Sequence, residues 1–186
     1  VLAAGEYTYF DSRLLYYGGS DDLPPIGQTQ TQVFFAEMLQ SVSKNLDFLV
    51  LAHPFYASYK WQGEYPDGLN AIEVLNLKSI LQKSWSDNKL STILSVLIFP
   101  FNPTIGFLKV FDSPTDELIL WDQLNHTHKT IGCAGNDTNA KIPLSGDKYL
   151  KFPSYESSFN LISNHLLIQG ELTGDFKKDK FKVLTA

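Results

Sequence analysis

Short apolar runs that end on turn residues, separated by stretches with helical spacing, constrain this chain most. Residues 47–54 read Asp-Phe-Leu-Val-Leu-Ala-His-Pro, apolar at nearly every position and closed by Pro54. Such a run suits a strand buried on both faces, as in a parallel sheet. Residues 71–76 and 129–134 read as further strands, bounded by Pro66-Asp67-Gly68 and by Gly135-Asn136-Asp137. Between them lie helical patterns. Phe35, Met38, Leu39 and Val42 fall at i, i+3, i+4, i+7 within 29–44, residues 77–85 read as a helix, and Ser113-Pro114-Thr115-Asp116 opens another with Ser as N-cap and Pro at the first helical position. Residues 155–168 are ambiguous and favour a strand after a short helical turn, and 176–186 read as a basic helical tail. The alternation predicts an α/β fold with a largely parallel sheet, open or closed into a barrel.

Composition narrows the class. With 186 residues, 44% hydrophobic and 19% charged, the chain has ample apolar surface to offset the entropy of ordering, and one domain over 1–186 is expected. A formal charge of −5 offers no general attraction to nucleic acid or to an anionic membrane. The single thiol, Cys133, cannot close an intramolecular disulfide, and it sits in an apolar run with no base beside it. The most apolar stretch, 90–101, contains Pro100 and is too short to cross a membrane, so it reads as a buried helix or a hydrophobic flap. The chain opens inside an apolar run without Met and stops in mid-helical pattern, which reads as an end, or both ends, missing; cytoplasmic is the default compartment. No phosphate-binding loop, dinucleotide fingerprint, nucleophile elbow or Cys-x-x-Cys is present in the sequence.

In α/β folds functional groups gather at the carboxyl ends of strands. His53 follows one apolar run and Asp137 another, while Glu6 sits beside Gly5 at the end of the opening one. One imidazole and two carboxylates are a donor set for Zn, Mn or Fe. His53 and Asp137 also have ordinary readings, as a strand terminator and a turn residue, and Glu6 alone carries almost no information. His126 and His128 read as loop residues, His165 as a half-buried His. Glu73, between Ile72 and Val74, either points into a site or pairs structurally. The aromatic loop Phe55, Tyr56, Tyr59, Trp61 and Tyr65 is a substrate lid, an interface or a packing element.

Taken in order, Gly5-Glu6-Tyr7-Thr8, Leu51-Ala52-His53-Pro54, Ala71-Ile72-Glu73-Val74-Leu75-Asn76, Leu120-Trp121-Asp122 and Ala134-Gly135-Asn136-Asp137-Thr138-Asn139-Ala140 resemble the polymerase-and-histidinol-phosphatase (PHP) superfamily, in its branch of metal-dependent phosphoesterases. The resemblance implies part of a distorted (β/α)7 barrel lacking its first strands, with divalent metals that activate a water for attack on a small-molecule phosphate ester. It implies Glu6, His53 and Asp137 as metal ligands. Two departures stand out: the family's final Asp-x-His is here Asp137-Thr138-Asn139, and a His that often follows the Glu motif is replaced near Arg13, whose guanidinium can bind phosphate but not metal. The alternative is a degenerate, non-catalytic barrel that binds a ligand or protein.

Overall fold

The computed structural model describes residues 4–9, 12–18, 47–56, 60–61, 65, 68–137, 142–145, 148–150 and 154–186. The helix read over 29–44, and Asn139, lie outside these residues. Strands β1 (Ala4–Tyr9), β2 (Ser12–Tyr17), β3 (Phe48–Ala52), β4 (Ala71–Asn76) and β5 (Ile131–Gly135) form one sheet in that order. The β1–β2 and β2–β3 pairs are antiparallel and β3–β4 is parallel. This is an open, mixed sheet with β1 and β5 at its edges, which corrects the expectation of a (β/α)7 barrel and of a largely parallel sheet. The physical reason lies in the connection after β1. Tyr9 pairs with Ser12, so two residues join the strands, and a link that short permits only an antiparallel return.

The chain packs as two compact units. The first comprises 1–73, 116–133 and 165–186; the second, 74–115 and 134–164. In the first unit a row of side chains crosses the sheet, Tyr7 facing Leu14, Leu14 facing Leu51 and Leu51 facing Ile72, none more than 1% exposed. Tyr7 and Tyr16 meet edge to face at 6.1 Å. Gly5 is needed here, because a Cβ would stand 2.8 Å from the Tyr7 ring. Asn70 ties three strands together: its side chain accepts from Leu49 N–H (2.7 Å), its own N–H donates to Leu49 O (3.0 Å), and its carbonyl accepts from Ile131 N–H (2.9 Å). The helix written α4 below (Thr115–Asn125) begins one residue after Pro114, and its Trp121 indole donates to Thr130 O at 2.8 Å.

The second unit holds α1 (Leu77–Asp87), α2 (Lys89–Ile98), α3 (Pro103–Leu108), α5 (Tyr155–Leu161) and the hairpin of β6 (Ile142–Ser145) with β7 (Lys148–Leu150). Asn76, Asn88 and Asn102 cap α1, α2 and α3 in turn, each side chain accepting a backbone N–H three residues on. Leu77, Phe107, Val110 and Ile162 form its core. Gly106 lets α3 approach Phe99, whose backbone would lie 3.0 Å from any Cβ there. No strand follows α5, so the extended reading of 162–168 is corrected; the Asn164 side chain instead bonds both the N–H and the carbonyl of Ala134, at 2.8 Å each. The chain closes, as expected, in a helix, α6 (Phe176–Leu184). Among the described residues no helix is long and apolar enough to cross a membrane.

Candidate functional site

The carboxyl end of β3 carries the one non-glycine residue with positive φ among the described residues of the first unit. His53 has φ 32°. Left-handed backbone costs a non-glycine residue about 1–2 kcal/mol, and Pro54 restricts the same peptide further. The conformation is held from two sides. Glu73, buried on β4, accepts the His53 N–H through Oε2 at 2.9 Å, and the His53 carbonyl accepts the Tyr56 N–H at 3.0 Å as the chain turns. The imidazole is buried, with the Tyr56 ring 5.6 Å away in an edge contact. A carboxylate spent on a backbone amide one strand away is an expensive way to build a turn, and it fixes where the imidazole leaves the sheet.

Arg13 stands beside this strand end, since β2 pairs Arg13 with Ala52 on β3 and with Thr8 on β1. Its guanidinium hydrogen-bonds Thr8 Oγ1 and lies 3.4 Å from Glu6 Oε1. Glu6 is therefore in the middle of β1, mostly exposed, rather than at a strand's carboxyl end, a correction to the position read from sequence. The strand does not stop at Gly5, because Tyr7 buries beneath the same hairpin and carries the strand on to Tyr9.

In the second unit Asp137 follows β5 with φ 37°, and Lys78 on α1 holds its carboxylate at 3.0 Å. His53 and Asp137 are the two non-glycine residues with positive φ among the described residues. The strand-end rule alone picks out both from the sequence. Asn136 next to Asp137 donates to Ile162 O at 3.3 Å. His126 and His128 lie in the turn after α4, with Thr127 Oγ1 3.0 Å from His128 Nδ1, as a loop reading requires. His165 is exposed rather than half-buried.

No family model, no curated protein and no solved structure matches this chain.

The described residues do not gather three or more His, Cys, Asp or Glu side chains where one ion could bind them. Two of the three expected ligands already face cations: Glu6 faces Arg13 and Asp137 faces Lys78. Sequence reasoning leaves Glu73 undecided and misses Lys78. The signal for Glu73 is present, a lone carboxylate in the apolar run Ala71-Ile72-Glu73-Val74-Leu75. Nothing local marks Lys78, whose pairing depends on a residue 59 positions away.

Cys133, half-buried on β5, belongs to the first unit. Its Sγ donates to Ile72 O at 3.3 Å, and the thiol is pushed up to about 12, first by burial and then by the negative charge of Glu73. The thiolate is the nucleophile, so the upward shift makes Cys133 a poor nucleophile at neutral pH. Iodoacetamide at pH 8 is expected to label the folded chain more than about tenfold slower than the urea-unfolded chain, by mass spectrometry. Because the raised value favours the neutral thiol in the folded state, its contribution to stability is present below the ordinary thiol value and is lost as pH rises toward 12. Equal labelling rates would contradict the burial.

Proposed function

We propose that this chain acts in metal-dependent hydrolysis of phosphate esters, with His53 as its metal-facing residue. The observation that supports this most is the backbone at His53, strained, followed by Pro54 and anchored by a buried carboxylate. Strain of that kind persists only where surrounding structure over-determines it, and it concentrates at active sites and ligand clamps. The order of short motifs resembling the PHP superfamily supplies the reaction class. A divalent Zn, Mn or Fe ion supplies a Lewis acid and a water acidic enough to ionise near neutral pH when bound. The resemblance gives ligand roles to Glu6, His53 and Asp137 and a phosphate contact to Arg13. The described residues do not themselves gather a complete ligand set, so the ion's part extends no further than this reaction class.

The test is elemental analysis of the purified chain after dialysis, followed by assay of small phosphomonoesters with added Mn, Zn or Fe(II). Near-stoichiometric metal that is lost in His53→Ala, together with hydrolysis, is the expected result. Metal content unchanged by that substitution sinks the ligand role.

A second reading, a non-catalytic module that binds a ligand or protein partner, is favoured by one specific observation. Glu6 and Asp137 each have a cation within 3.4 Å and 3.0 Å, which neutralises the carboxylates a metal would need. Under this reading Asn139→His, which restores the family's Asp-x-His pattern, leaves hydrolysis at background.

A further inference from the structure

We draw no further inference here: the strongest candidate, the exposed apolar stripe of Leu90, Ile93, Leu94 and Leu97 on α2 with Ile105 and Leu108 on α3, carries none because nothing in the structure shows what covers it.

Discussion

Leu51→Ala is expected to lower the unfolding free energy by about 3 kcal/mol, a large fraction of the about 5–15 kcal/mol by which a domain is typically stable. Leu51 has no exposed surface and sits in the row Tyr7, Leu14, Leu51 and Ile72, each facing the next across a strand pair. Its neighbours on both sides are held in register by backbone hydrogen bonds. They cannot slide inward to fill the space, so the cavity term adds to the lost transfer free energy. Leu97→Ala is the control. The same side chain removed from an exposed site on α2 should change stability by less than about 0.5 kcal/mol. Urea denaturation followed by circular dichroism distinguishes the two, and a loss below about 1 kcal/mol for Leu51→Ala would mean that the row is not the centre of the sheet.

The residues that can be read from sequence are those whose local pattern and tertiary role agree. Phe48 to Ala52 is apolar throughout, and a strand buried on both faces needs nothing else. The same agreement makes α1, α6 and β4 legible. The β1–β2 hairpin is not, because its burial alternates while its polarity does not: Ser12 is buried, and Arg13, Leu15 and Tyr17 are partly exposed. With that hairpin unseen, strand–helix alternation favours a parallel sheet, and the resemblance turns it into a barrel. Helix α2 shows the complementary limit. Its apolar run, 90–101, reads from sequence as a buried helix or a hydrophobic flap, yet Leu90, Ile93, Leu94 and Leu97 are exposed, because apolar character alone carries no information on which way a helix turns its apolar side.

The candidate site divides in the same way. His53 and Asp137 are legible because a polar residue closing an apolar run is a local signal, and both close their strands with left-handed backbone. Glu6 reads as a strand end because an apolar opening run precedes it, whereas Tyr7 carries β1 onward. The pairings that decide what the carboxylates are free to do, Arg13 with Glu6 and Lys78 with Asp137, depend on packing between elements, which no window of sequence contains.

Those pairings leave His53 as the residue on which structure and function can be separated most cleanly. His53→Ala and His53→Gly both remove the imidazole, and both leave a space beside Tyr56. They differ in the backbone alone. At φ 32° a Cβ is penalised and glycine is not, so the Gly variant should be the more stable of the two by about 1 kcal/mol, reversing the usual order. Both keep the N–H that donates to Glu73, so the turn should survive in each. If His53 is the metal-facing residue, both variants lose bound metal and lose hydrolysis by at least about a hundredfold, regardless of their stabilities. A Gly variant that retains metal and turnover would show that evolution kept this strained position for its geometry and not for its imidazole. Glu73→Gln sharpens the contrast, because an amide oxygen still accepts the His53 N–H while the buried negative charge is gone. A loss of metal there, at unchanged stability, would mean that the charge of Glu73 acts on the site as well as its hydrogen bond.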